Sequence, residues 1–159
     1  MALPDNTQAL APQLRRAVPS DLARIETVVA AAFEPHLTRM AFPPAQLLRD
    51  DSAAIEAGQI WVLGDPIIAA IVLIETDDTL LVENLAVHPD EQGRGLGRLL
   101  MEHAEAMAAE RQLRRLALDR NEINLELRDF YVHLGYVEMD RRSEFGHRRA
   151  VMEKLLSSH

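Results

Sequence analysis

The chain has 159 residues, 48% of them hydrophobic and 26% charged, which is the size and balance of one globular domain. Its formal net charge of −8 disfavours a nucleic-acid partner and suits a cationic acceptor such as an amine, although solubility alone also explains such a charge. The absence of cysteine excludes disulfides, cysteine zinc sites and thiol nucleophiles.

The length predicts one domain, expected over residues 14–156, between a flexible leader with two prolines at 1–13 and a short tail at 157–159. A loop or short helical pieces are expected over 34–44, where prolines interrupt the pattern. Strands are predicted, in chain order, at 14–18, 60–63, 67–74, 80–87, 115–119, 136–139 and 149–155. Helices are predicted from the Pro19-Ser20-Asp21 start to about Ala32, and over 45–58, 96–111 and 124–134.

The order of these elements predicts the fold class. Strands follow one another in the first half and alternate with helices later, which favours an α/β domain with a mixed, largely antiparallel sheet flanked by helices. No apolar run approaches the length of a membrane span, and no signal peptide precedes the domain, so a cytoplasmic protein without a membrane partner is expected.

A glycine-rich turn between the strand at 80–87 and the helix at 96–111 predicts a phosphate site. Alternating glycines let the main chain approach a ligand closely, and a helix N-terminus presents free N–H groups to an anion. Arg94 and Arg98 can add charge-assisted bonds. The predicted binding residues are Gln92, Gly93, Arg94, Gly95, Leu96, Gly97 and Arg98.

Two common phosphate loops are excluded. A P-loop needs a lysine after its last glycine, and the only lysine of the chain is Lys154. A dinucleotide fingerprint needs a third glycine where Arg98 or Leu100 stands. A nucleotide-binding module is therefore a weak alternative.

The turn resembles the acetyl-CoA loop of the GCN5-related N-acetyltransferase (GNAT) family, Gln/Arg-x-x-Gly-x-Gly/Ala, without a mismatch. Residues 124–136 resemble a second family motif, Asn-x-x-Ala-x-x-Phe-Tyr-x-x-x-Gly-Phe, with Leu127 in place of alanine and Tyr136 in place of phenylalanine. The larger Leu127 implies different packing beside the coenzyme. The order of predicted elements matches this fold from about Leu14 to Leu156.

The resemblance implies an acetyl-CoA-dependent N-acetyltransferase that acts by direct attack of an amine within a ternary complex, without a metal. No serine lies in a nucleophile-elbow setting, which also disfavours a covalent acyl-enzyme. The strand residues Leu85, Ala86 and Val87 are expected to offer main-chain bonds to the pantetheine arm. Asn124 resembles the family asparagine that binds the coenzyme, although an ordinary helix cap has the same appearance.

Two carboxylates are candidates for the general base. Glu83 interrupts an apolar strand, where burial would raise its pKa, and family members often carry a catalytic glutamate there. It could instead point to solvent or pair with an arginine. Asp119 matches a proposed base in family members that acetylate ribosomal proteins, but an acid there also suits helix capping or ion pairing.

Tyr131 is the candidate general acid, because a phenol can protonate a departing thiolate and the family tyrosine in this motif commonly does so. An amphipathic core role is the alternative. His88 and His133 lack metal-site spacing and are expected at the surface.

The acceptor is left open between small-molecule amines and protein or peptide amines. Residues 33–58 and 141–149 are the segments expected to shape its site. A non-catalytic acyl-CoA sensor of the same fold is the rival function, and either a monomer or a homodimer is compatible with the sequence.

Overall fold

Seven strands and four helices occur in the computed structural model within the residues that it describes, 14–37, 50–121, 125–144 and 147–156. The strands are β1 Arg15–Arg16, β2 Ile60–Leu63, β3 Ala69–Thr76, β4 Thr79–Val87, β5 Arg115–Asn121, β6 Val137–Glu144 and β7 His147–Leu155. The helices are α1 Leu22–Leu37, α2 Asp51–Glu56, α3 Leu96–Glu110 and α4 Leu125–His133. None of these helices is long and apolar enough to cross a bilayer.

All seven strands form one sheet in the order β1-β2-β3-β4-β5-β7-β6. Every neighbouring pair is antiparallel except β4 and β5, which run parallel and are connected through α3. The predicted α/β class with a mixed, largely antiparallel sheet is therefore confirmed.

A hydrophobic cluster covers each face of the sheet. On one face, α3 packs Leu100 and Ala104 against Leu80 and Val82 of β4. On the other face, α1 and α2 pack against β2 and β3, with Ile25 and Val62 among the buried residues. Full burial of such a side chain contributes about 1.5–3 kcal/mol, so these layers hold the sheet in place.

The first two helices differ from the predicted bounds. The predicted break near Glu34 is wrong, because α1 continues to Leu37 with Pro35 inside it. A proline already has a helical φ and costs few hydrogen bonds when it stands near the end of a helix. Helix α2 begins only at Asp51, since the Asp50 carboxylate accepts the Ser52 N–H at 3.0 Å and caps it. Residues 45–49 of the predicted helix lie outside the described ranges.

Several strand bounds also differ from the prediction. Strand β1 is shorter, with only Arg15–Arg16, and β5 continues beyond 119 to Asn121. Strand β3 starts at Ala69 rather than 67, because the preceding turn closes with a bond from the Ile68 N–H to the Leu63 carbonyl at 2.9 Å. Strands β6 and β7 are longer than predicted and pair from Val137 opposite Glu153 to Glu144 opposite His147. The polar run 140–144 lacks the apolar alternation of a strand, yet an edge strand accommodates such residues.

Lys154 connects three elements on the α3 face. Its Nζ donates to Glu105 Oε1 of α3 at 2.8 Å and to the carbonyl of Leu134, just after α4, at 2.8 Å. A Cβ at Gly135 would lie 3.3 Å from the Lys154 Cε, so the lysine stem occupies the space that this glycine leaves. The contact fixes the C-terminal end of α4 against α3 and β7.

Candidate active site

The parallel strands β4 and β5 part midway along their length. Thr79–Val82 pair with Arg115–Leu118, whereas Asn84–Val87 pair only with β3 and Asp119–Asn121 only with β7 within the described part of the sheet. We call this opening between β4 and β5 the gap. A gap between neighbouring strands leaves main-chain groups without ladder partners, and such groups need a partner from elsewhere.

The main chain of β4 presents hydrogen-bonding groups to the gap. The His88 N–H donates to the Ile68 carbonyl at 2.9 Å, so it is directed towards the β3 side of the strand. Main-chain groups alternate in direction along a strand, so those of Ala86, opposite Ala70, are also directed towards β3. Leu85 and Val87 therefore direct their N–H and C=O groups away from β3. The Val87 carbonyl indeed accepts the Gln92 Nε2 at 3.2 Å, from the side of the glycine-rich turn.

A β-bulge lies at the beginning of the gap. Leu73 of β3 pairs with Val82 and Val72 pairs with Asn84, so Glu83 is an extra residue in β4. Val82 and Leu85 both contribute to the α3 side of the core. In a regular strand, one residue would separate two side chains on the same face. Here two residues, Glu83 and Asn84, separate Val82 from Leu85, and both are therefore directed away from α3.

The glycine-rich turn has the backbone that its sequence predicts. Gly93 and Gly95 have φ of 86° and 78°, which favour glycine. A Cβ at either position would have no atom within 4 Å, so the turn is open outward. Gly95 is the N-cap of α3, and no side chain caps the first N–H groups of this helix.

The third glycine has a different role. A Cβ at Gly97 would lie 3.3 Å from Cζ of Phe130 and 3.9 Å from Cδ2 of Leu85. Gly97 thus allows α4 and β4 to contact the first turn of α3. Sequence analysis assigned all three glycines to ligand approach, and the packing role of Gly97 was missed because it depends on a residue 33 positions away.

Both predicted phosphate-binding arginines contact carboxylates of their own segment. Arg94 bonds to Glu91, and the Arg98 Nε lies 3.3 Å from Glu102 Oε1. The side chains of Arg94 and Arg98 are 40% and 70% exposed, so these pairs are weak and exchangeable. A bound anion would compete with Glu91 and Glu102 for the two guanidinium groups.

Tyr131 lies on α4 and is buried on the α3 face of the sheet, with 5% of its surface exposed. Its ring makes edge contacts with Phe130 and Tyr136 at centroid distances of 5.0 and 5.8 Å. Burial raises the pKa of the Tyr131 phenol above its usual value, so the hydroxyl keeps its proton at neutral pH. Because Phe130 also contacts Gly97, Tyr131 and the glycine-rich turn are held by the same packing.

The other predicted residues are placed as follows. Glu83 is half-buried and has an interaction partner. Asp119 pairs through its main chain with Val151 beyond the parting of β4 and β5. Asn124, and residues 38–49 and 145–146 of the expected acceptor segments, lie outside the described residues.

The histidines that were expected at the surface have local partners. The Asp90 N–H donates to His88 Nδ1 at 3.2 Å, which caps the short turn Pro89–Glu91, and the His88 side chain is only 23% exposed. His133 is exposed, with Nδ1 2.8 Å from the Asp129 carbonyl. Within the described ranges, no three histidine, aspartate or glutamate side chains are grouped as a metal site would require.

Asn84 is a residue that the sequence analysis did not single out. It is 8% exposed and lies next to Glu83 in β4. The signal for it was the same as for Glu83, namely a polar residue in an otherwise apolar strand.

Comparisons with known proteins agree with this geometry. The family model for an acetyltransferase (GNAT) domain matches residues 56–138. N-alpha-acetyltransferase 80 of Mus musculus is 42% identical over 64 residues, which are 40% of this chain and only 19% of that protein.

Two solved structures share the fold over nearly the whole chain. The PaiA N-acetyltransferase of Thermoplasma acidophilum, in complex with coenzyme A, has a TM-score of 0.76 at 16% identity and covers 90% of this chain and 98% of its own. The ribosomal-protein-S18-alanine N-acetyltransferase of Escherichia coli has a TM-score of 0.72 at 22% identity, over 92% of this chain and 94% of its own.

Proposed function

Since the chain belongs to the GNAT acetyltransferase family, we propose that it transfers the acetyl group of acetyl-CoA directly to a primary amine of a small molecule or of a protein or peptide. The gap between β4 and β5 carries this proposal, because the glycine-rich turn follows its open edge on β4, and Phe130, next to Tyr131, lies with Leu85 beside Gly97.

The glycine-rich turn suits the pyrophosphate of acetyl-CoA. The outward space at Gly93 and Gly95 admits a ligand against the main chain, and the first N–H groups of α3 favour an anion. Arg94 and Arg98 would move from Glu91 and Glu102 to the phosphates, a stronger charge-assisted contact. Asn124 is proposed as a further coenzyme contact from the family motif.

The open edge of β4 suits the pantetheine arm. Leu85 and Val87 direct main-chain groups into the gap, so an amide-containing chain can add there as a strand does. A main-chain N–H at this edge would also stabilise the oxyanion that forms when the thioester carbonyl is attacked.

The reaction needs a neutral amine. The acceptor nitrogen forms a bond to the thioester carbon, the carbon–sulfur bond breaks, and one proton leaves the nitrogen. We assign this proton to the Glu83 carboxylate, directly or through a water, because Glu83 lies at the bulge where the gap begins. Asp119, on the other border of the gap, is the alternative base.

Tyr131 is proposed to donate to the departing sulfur. Its raised pKa keeps the phenol protonated and favours hydrogen-bond donation to the developing thiolate over early proton loss. No cysteine is present to form an acyl-enzyme, which agrees with direct transfer.

A thiol-release assay with acetyl-CoA and a panel of amines tests the proposal. Transfer to one or more amines is expected. Tight acetyl-CoA binding without transfer to any amine would instead support the non-catalytic acyl-CoA sensor. Absence of binding would contradict both functions.

A further inference from the structure

Asn84 is a buried polar residue in an apolar setting. It pairs with Val72 and precedes Leu85 and Ala86, and it is 8% exposed. Val72 and Ala86 belong to the cluster beneath α1. No hydrogen bond joins the Asn84 side-chain amide to another residue of the described ranges.

The Asn84 side-chain nitrogen and oxygen are not among the fully enclosed side-chain atoms of the described residues that lack a partner, so the amide keeps contact with solvent. A leucine of similar volume would fill the space beside Val72 and Ala86, so packing does not require an amide there. An amide that stays accessible at the edge of an apolar cluster suits a use that does not lie in packing.

The location of Asn84 indicates that use. The bulge directs Glu83 and Asn84 away from α3, and β5 departs from β4 at the same level. Two consecutive side chains there can contact groups that are only a few bonds apart. If Glu83 receives the amine proton, Asn84 is within reach of the atoms next to that amine.

We infer that Asn84 is an acceptor-binding residue that hydrogen-bonds a carbonyl group adjacent to the reacting amine. The inference depends on the proposed function. The side-chain NH2 donates to a carbonyl oxygen, and the side-chain oxygen can accept from an N–H. The acceptor class is then an α-amino carbonyl compound, such as an amino acid amide or a peptide N-terminus.

The test compares two amines of similar shape, alaninamide and 3-methyl-2-butylamine. The second has two methyl groups in place of the amide oxygen and nitrogen of the first. The ratio of their kcat/KM values is measured for the wild type and for Asn84→Leu, with Asn84→Val as a second apolar variant. The wild type should prefer alaninamide, and each variant should lower the ratio about tenfold, the equivalent of one hydrogen bond.

His103 offers a matched control. Its Nε2 is buried and has no hydrogen-bond partner among the described residues. The ring lies on the other face of the sheet, 5.3 Å from the Trp61 ring. His103→Phe keeps a ring there and removes the unpartnered nitrogen, so it should raise the melting temperature and leave the ratio unchanged.

Three results would overturn the inference. They are a wild type without preference for alaninamide, transfer to other amines of the panel but not to alaninamide, or an unchanged ratio in the Asn84 variants. None of these affects the proposed transferase activity. Failure to transfer to any amine would remove that function, and the inference with it.

Discussion

Strand β4 pairs with neighbours on both sides over Thr79–Val82, and with β3 alone over Asn84–Val87. In the first half, Leu80 and Val82 are buried, and both main-chain edges of the strand are paired within the sheet. In the second half, main-chain groups of Leu85 and Val87 face the gap, and the polar Glu83 and Asn84 at its beginning are directed away from α3. Under the proposed function, one strand serves stability at one end and ligand binding at the other, with a bulge at the boundary.

The largest expected effect is at Glu83, the bulge residue between the two halves of β4. Glu83→Gln keeps the shape of the side chain but cannot accept the amine proton, so kcat should fall about 10³-fold near neutral pH. The rate should recover in part as pH rises, because the acceptor amine then loses its proton to solvent. A pH series of initial rates measures both effects.

Asp119→Asn is the control for this substitution and should have a much smaller effect. If Asp119→Asn abolishes turnover while Glu83→Gln spares it, Asp119 is the base. If both variants keep the wild-type rate, water removes the proton and the assignment of Glu83 is wrong.

Leu80→Ala tests the half of β4 that pairs with a strand on each side. Leu80 is fully buried, so the cavity should lower the free energy of unfolding by about 3 kcal/mol, as measured by urea denaturation. The kcat of the folded variant should stay near that of the wild type. A large loss of kcat in fully folded protein would contradict the separation of the two halves.

Tyr131→Phe removes one hydroxyl from a buried residue, and kcat should fall about 10²-fold with a small change in acetyl-CoA affinity. Because burial raises the pKa of Tyr131, this phenol should cause no loss of wild-type activity between neutral pH and about pH 10, the usual pKa of tyrosine. Tyr136→Phe is the control, since the Tyr136 hydroxyl is also buried and has no partner in the described ranges. Equal losses in both variants would assign Tyr131 to packing.

The smallest of these effects is expected at the glycine-rich turn. Gly95→Val forces a β-branched residue into a φ of 78° and should weaken acetyl-CoA binding about tenfold or more in calorimetry. Gly58→Val imposes similar strain at a φ of 72°, outside the turn, and should lower stability without changing affinity. Unchanged affinity in Gly95→Val would exclude the turn as the pyrophosphate site.

The sequence predicted the elements whose periodicity arises within one segment. Strand β4, the glycine-rich turn and helix α3 occur nearly where they were expected, because apolar alternation, glycine and helical spacing are local signals. The polar edge run at 140–144 was not predicted as strand, because its pairing with β7 is not encoded in its own pattern.

The sequence indicated a set of candidate residues for the site, but not their arrangement. The parting of β4 and β5 and the bulge at Glu83 depend on register between distant strands. Arg94 and Arg98 were expected to face an anion together, and their pairing with Glu91 and Glu102 could have been expected from the spacing of three and four residues.

Lys154 has a practical consequence for work on this protein. As the sole lysine, it is the only side-chain amine in the chain, and it is engaged by Glu105 and the Leu134 carbonyl. Amine-reactive reagents therefore have one side-chain target. Its modification should be slow while α4 is packed against α3, and faster when α4 has detached. Mass spectrometry of that one position would report the docking of the Tyr131 helix.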